Sequence, residues 1–209
     1  MKMKLWHCTG ARSLRPLWTL EELGMDYDIE ILPFPPRIFT PEYLETNALG
    51  TVPYFTHGDV TMTESCGICH YLTGLPGGEE LAVPADHPDY GQWLNWLYHA
   101  DATLTFPQTI VLRYTVLEPS EEKQAVSDDY ARWFVARLRR LNAHLEQHEH
   151  LAADRFTIAD IAVAYALYFG ESLKLTEFYK PQTLAYLERM KARPGFQRAD
   201  AIGREEALE

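Results

Sequence analysis

Along the chain, the spacing of apolar and polar positions changes character about a third of the way in. Up to about residue 73, short apolar strands alternate with helices, and beyond about residue 88 the pattern is helical throughout. Lys4 to His7 predicts a strand, Ser13 to Leu23 a helix stopped at Gly24, and Tyr27 to Leu32 a second strand. This βαβ start has a short helix as its crossover and favours a parallel pair. The proline-rich PFPPRIFTPEYLE predicts a loop and a short helix with Thr40 as cap and Pro41 at the first helical position. Val52 to Thr56 and Asp59 to Met62 read as two strands of a hairpin turning near His57 and Gly58, followed by a helix from about Ser65 to Leu72. The order is βαβαββα.

The segment LPGGEELAVPADHP, rich in glycine, proline and acid and without periodicity, reads as a linker. The expected division is therefore a first domain over 1–76, a linker over 77–87 and an all-helical domain over 88–209, with helices near 88–116, 120–150, 157–169 and 181–193. FTIADI is a strong helix start: Thr157 caps, Asp160 reaches back three residues, and Phe156 staples to Ile161.

Composition narrows the function classes. The chain has 209 residues, 46% hydrophobic and 23% charged, which is enough for one large or two small domains. A formal net charge of −11 and the lack of a long basic block argue against a nucleic-acid partner. No apolar run approaches the roughly 20 residues that cross a bilayer, and the start lacks a signal-peptide core, so a cytoplasmic protein without a membrane partner is expected. Three cysteines, Cys8, Cys66 and Cys69, are too few for a secreted disulfide framework.

Two stretches carry candidate chemistry. In NALGTVPYF, Val52 and Pro53 stand at the beginning of a strand after a glycine. A cis Pro53 would turn the backbone of Val52 outward to pair with an extended peptide ligand; the alternative is a proline that merely opens an edge strand. In TESCGICHYL, Glu64 and Ser65 stand at a helix start, where a hydroxyl, an amide and the positive end of the dipole suit a carboxylate and the glutamate suits an ammonium. Together they match the zwitterionic head of an amino acid, and an ordinary cap is the competing reading.

With these residues in hand, the chain resembles the cytosolic glutathione S-transferase family. The likeness lies in the order of elements, Gly50-Thr51-Val52-Pro53, Glu64-Ser65, the linker, the FTIAD box and the ending LERMKARPGF, and it covers nearly the whole chain. It is similar to bacterial members of a serine-type or atypical kind, and SLRPL resembles the Ser-Leu-Lys-Pro run of glutathione-dependent aryl-ether-cleaving relatives. The resemblance implies an α/β thioredoxin-like N-terminal domain, an all-α C-terminal domain and a homodimer. It also implies glutathione as co-substrate: Val52 pairing with the cysteinyl part, Pro53 cis, Glu64 and Ser65 on the γ-glutamyl end, Thr51 beside them and Arg37 at the glycine carboxylate.

The catalytic position departs from the family pattern. A thiol near neutral pH is only a few per cent thiolate and needs a donor or cation beside it. Ala11 and Arg12 stand where related enzymes place serine or cysteine, and Trp6 stands where others place tyrosine. Ser13, at the first helix, is the expected donor, with Arg12 as the alternative; Ser13 as a plain N-cap is the competing role.

An electrophilic apolar or aromatic substrate is expected against Tyr98, His99, Phe106 and Tyr114, with Trp96 and Thr103 nearby, although aromatics at helical spacing also build cores. Thiol conjugation, a glutathione-dependent lyase, isomerase or dehalogenase, and a binding protein without turnover stay open. Cys66 and Cys69 have redox-pair spacing but fall on the wrong helix for a thioredoxin-like site, so they read as packing residues. His144 and His148 have metal-ligand spacing, but the third histidine, His150, leaves that helical face, and no metal is expected.

Overall fold

A computed structural model describes residues 2–205, in two compact units: residues up to Ala82 together with those from Lys191 onward, and Val83–Met190. Residues 206–209 of the expected helical domain lie outside the described residues.

The first unit is built on a four-stranded sheet of order β2-β1-β3-β4, with β1 Met3–His7, β2 Tyr27–Ile31, β3 Tyr54–His57 and β4 Val60–Met62. β1 pairs parallel with β2 and antiparallel with β3, and β3 pairs antiparallel with β4. The parallel pair follows from α1, Leu14–Leu23, which returns the chain to the same end of the sheet and stops at Gly24 in the left-handed region. α4, Ser65–Thr73, follows the hairpin. Leu5, Phe55, Leu14, Leu17, Trp18, Ile68 and Leu72 form the buried interior.

Two local expectations are corrected. The single helix capped by Thr40 is two short helices, α2 Pro36–Phe39 and α3 Tyr43–Thr46. Thr40 ends the first instead of capping the second, and Pro41 precedes α3 in a turn. The strand expected from Val52 begins at Tyr54, since Pro53 has no N–H to give to a ladder.

The second unit comprises α5 Tyr90–His99, α6 Phe106–Leu112, α7 Glu121–Leu145, α8 Ile158–Ser172 and α9 Pro181–Lys191. Two π-helical stretches, Ala100–Thr105 and Arg113–Leu117, flank α6. α8 is the central helix: every residue from Ile158 to Leu167 is buried, as a helix apolar on all sides must be. Its start is closed by the expected box, with Thr157 Oγ accepting from Ala159 N–H at 3.2 Å and Asp160 accepting from Thr157 N–H at 2.9 Å.

A tenth helix, α10 Pro194–Glu205, belongs to the first unit and packs on α1. Phe196 stacks edge-on against Trp18 at 5.0 Å, and Arg193 grips Glu22 with two bonds of 2.8 and 2.9 Å. The glycine of RPGF makes room for this contact: a Cβ at Gly195 would fall 2.6 Å from the Glu22 carboxyl carbon and push that side chain aside.

Candidate functional site in the first unit

The loop after β1 and the turn before β3 rest on one apolar base. Trp6, Cys8, Leu32 and Tyr43 form it, and Ala11, Val52 and Tyr54 pack against it. The loop is shaped by Gly10 at positive φ and by the Ala11 N–H donating to the Cys8 carbonyl at 3.1 Å, which leaves Thr9 exposed and Arg12 half-buried. Thus Ala11 and Val52, widely separated in sequence, are brought onto the same patch.

The Val52-Pro53 bond is cis. The carbonyl of Thr51 just before it accepts from Tyr43 Oη at 2.9 Å and from Asn47 Nδ2 at 2.8 Å. Burial holds the Tyr43 phenol up at about 12, so at neutral pH it stays a donor. Gly50, at φ +59, lets α2 approach, since a Cβ there would lie 2.7 Å from Arg37 Cβ. Arg37 is exposed beside the turn. Tyr43 and Asn47 were missed in the sequence, where TNALG signalled only a turn.

At the start of α4, Glu64 is exposed and its backbone is extended, and no side chain caps the helix. Ser65, the first helical residue, is buried, and its Oγ accepts from Arg15 Nη1 at 3.0 Å. Arg15 is wholly buried on α1 and was also missed; a charged residue inside the apolar stretch SLRPLW was its only signal.

Ser13 stands at the start of α1, as expected, with its side chain turned inward. It is wholly buried, its Oγ accepts from the Cys8 N–H at 3.2 Å and lies 3.5 Å from the Cys8 carbonyl oxygen. The hydroxyl turns inward to brace the loop and presents no surface to a ligand. His7, on the opposite face of β1, is equally buried; burial lowers its pKa to about 4, against a weaker opposing effect of its bond to the Ser13 backbone.

The cysteines are interior groups. Burial raises Cys8 to about 12 and Cys69 to about 12, which leaves both as thiols at neutral pH, and Cys69 Sγ accepts from the Thr19 hydroxyl at 3.2 Å. Cys66 is buried as well.

The residues expected for a second substrate keep different company within the second unit. Phe106, 46% exposed, meets Tyr130 and Trp133 with ring centroids 6.1 Å away in each case. His99 meets Trp96 edge-on at 5.4 Å, its Nε2 has no partner, and burial lowers its pKa to about 4. Trp96 itself is core. Tyr114 lies beneath Arg113 and Lys123, Thr103 is half-buried in the first π-helical stretch, and Tyr98 is exposed. The rings of His144 and His148 stack 4.4 Å apart, and the His144 Nε2 meets the His150 carbonyl at 2.9 Å. Among the described residues no group of three or more His, Cys, Asp or Glu could hold a metal ion, and no helix is long and apolar enough to cross a membrane.

The mixed sheet with α1 and α4, followed by a helical unit, defines the class: a thioredoxin-like domain joined to an all-α domain. Residues 1–74 match the family described as glutathione S-transferase, N-terminal domain, and residues 104–194 match its C-terminal domain. The chain belongs to the glutathione S-transferase family. It is 27% identical to glutathione S-transferase GstA of Escherichia coli O157:H7, covering 97% of this chain and 98% of that one. It is also 27% identical to a tetrachloro-p-hydroquinone reductive dehalogenase of Sphingobium chlorophenolicum, with 90% of each covered. Among solved structures, a glutathione transferase from Methylococcus capsulatus superposes with a TM-score of 0.81 at 28% identity, covering 96% of this chain and 98% of that one.

Proposed function

We propose that this protein is a glutathione transferase that binds glutathione on its first unit, holds the thiol as thiolate and delivers the sulfur to an electrophilic carbon of an apolar or aromatic compound. The observation that carries this is the shared apolar base under Ala11 and Val52, which brings the loop that carries Arg12 together with a turn able to pair with a peptide backbone. In this assignment the backbone of Val52 before Pro53 pairs with the cysteinyl part, Glu64 takes the ammonium and Ser65 the carboxylate of the γ-glutamyl end. Thr51 and Arg37 flank the remainder, with Arg37 at the glycine carboxylate.

The inward turn of Ser13 moves the thiolate role to Arg12, whose guanidinium lowers the cost of the sulfur anion; Ser13 shapes the loop that carries it. With an aryl chloride the sulfur forms the new C–S bond, chloride leaves with the bonding electrons, and the thiol proton passes to water. Phe106 with Tyr130 and Trp133 offers the aromatic surface that suits such a substrate. A cytoplasmic homodimer engaged in detoxification is the setting that fits.

The likeness to a reductive dehalogenase supports a second outcome of the same thiolate chemistry, glutathione-assisted dehalogenation. The test is turnover of glutathione with a chlorodinitrobenzene, with product analysis by mass spectrometry. Conjugate formation is expected. Absence of conjugation across a panel of electrophiles, with binding retained, would leave a ligand-binding protein; a dehalogenated product without glutathione attached would favour the second reading.

A further inference from the structure

Arg15 plays no part in the assignment above, yet it is among the largest wholly buried side chains of the protein. An arginine is almost never fully buried without partners, because removing its charge from water costs several kcal/mol unless hydrogen bonds replace the lost hydration. One of its partners is Ser65 Oγ, at 3.0 Å. One turn further along both helices the Thr19 hydroxyl meets Cys69 Sγ at 3.2 Å. Two polar rungs, Arg15 to Ser65 and Thr19 to Cys69, therefore join α1 to the first turns of α4.

The chemistry of the first rung is directional. A guanidinium only donates, so Ser65 Oγ must accept from it, and the hydroxyl's own proton is left to donate to something else. A bond accepted at the oxygen also strengthens the bond its proton makes. The Ser65 backbone N–H, at the first position of α4, has no partner within the helix and is a second donor beside it. Two adjacent donors match the two oxygens of a carboxylate. They match a carboxamide less well, because one of its two atoms is itself a donor: with one hydroxyl lone pair taken by Arg15, accepting from that N–H would use the second and leave the hydroxyl proton and the Ser65 N–H only one acceptor between them.

We propose that Arg15 is a specificity-determining positioning residue: acting through Ser65, it occupies an acceptor lone pair of that hydroxyl and aims its proton at the ligand, and so makes the start of α4 select a carboxylate over a neutral amide. The inference rests on Glu64 and Ser65 being the γ-glutamyl subsite. It concerns discrimination between two head groups, which a purely structural role for Arg15 would leave unchanged.

The experiment is calorimetric titration of the full chain with glutathione and with the analogue whose γ-glutamyl α-carboxylate is a primary amide. The proteins compared are the unaltered chain, Arg15→Met, Arg15→Gln, Ser65→Ala and Arg15→Met combined with Ser65→Ala. The unaltered protein is expected to prefer the acid by about 100-fold. Arg15→Met is expected to weaken glutathione binding about tenfold while changing amide binding less than about threefold. In the Ser65→Ala background the same change should add less than about twofold, since its route is already removed. Thr19→Val, which removes the neighbouring rung, should leave the preference intact.

Undiminished preference in Arg15→Met, an equal loss for both ligands, or full additivity with Ser65→Ala would each overturn the proposal. Should Arg15→Met fail to fold by circular dichroism, Arg15→Gln, of similar length and uncharged, decides: a preference reduced by about threefold or more supports the proposal, and an unaltered preference overturns it. If Ser65→Ala itself binds glutathione as tightly as the unaltered chain, the subsite assignment fails, a result distinguishable from failure of the role given to Arg15.

Discussion

The starts of α4 and α8 solve the same physical problem in opposite ways. Each helix begins with backbone N–H groups that have no partner one turn earlier. At α8 the protein closes the first turn with its own side chains. Thr157 accepts from Ala159, and the wholly buried Asp160 accepts from Thr157 N–H, from Leu151 N–H at 3.1 Å and from the Tyr186 hydroxyl at 3.0 Å. At α4 no side chain caps, the preceding Glu64 is exposed, and Ser65 is held from beneath by Arg15. A closed helix start stabilises a core, whereas an open one leaves backbone donors available, as the proposed γ-glutamyl subsite requires.

The largest effect should come from opening the closed end. Asp160→Ala removes an acceptor shared by several buried donors and is expected to cost about 4 kcal/mol, read as a lower urea midpoint or as failure to accumulate in soluble form. A loss below about 1 kcal/mol would show that α8 does not depend on its box.

The closed interior should also report itself through pH. His7 has its pKa lowered from 6.5 to about 4 by burial. The unfolded chain therefore binds the proton more readily, so the stability from this group is complete above about pH 6.5 and is lost as pH falls toward 4. The loss amounts to about 3 kcal/mol, and His99 and His144, also lowered by burial, add in the same direction. His7→Gln should flatten the fall in unfolding free energy between those two pH values, and an unchanged slope would assign it to other groups.

The open end should respond in binding instead of stability. Glu64→Ala with Ser65→Ala is expected to weaken glutathione about 100-fold and abolish retention on immobilised glutathione, with melting shifted by only a few degrees. A folded double variant that still binds would remove the subsite from α4. Arg12→Ala should lower turnover about tenfold with little change in glutathione affinity, read as a split between kcat and KM. Unchanged turnover would return the thiolate to backbone donors of the loop.

Much of this was legible in residue order. The βαβ start, the hairpin and the helical second part follow from apolar spacing, and the box at Thr157 and Asp160 is a local motif whose partners are three residues apart. The start of α4 at Ser65 was equally visible. Ser13 was harder: a serine before a helix can face solvent or fold back, and only the Cys8 N–H five residues away, with the burial around it, chose the second. Tyr43 and Asn47 on the Thr51 carbonyl, and α10 on α1, depend on neighbours that periodicity does not name.

By itself, then, the sequence determined what short-range chemistry determines: element types, their order, the closed cap of α8 and the Glu64-Ser65 pair at the start of α4. Tertiary structure alone decided that Ser13 turns inward, that Arg15 is buried beneath Ser65, and that residues from Lys191 onward join the first unit. The physical reason is common to all three. Burial and hydrogen-bond direction are set by atoms from distant parts of the chain, and a side chain's type fixes what it can bond, whereas the packing around it fixes which bond it makes.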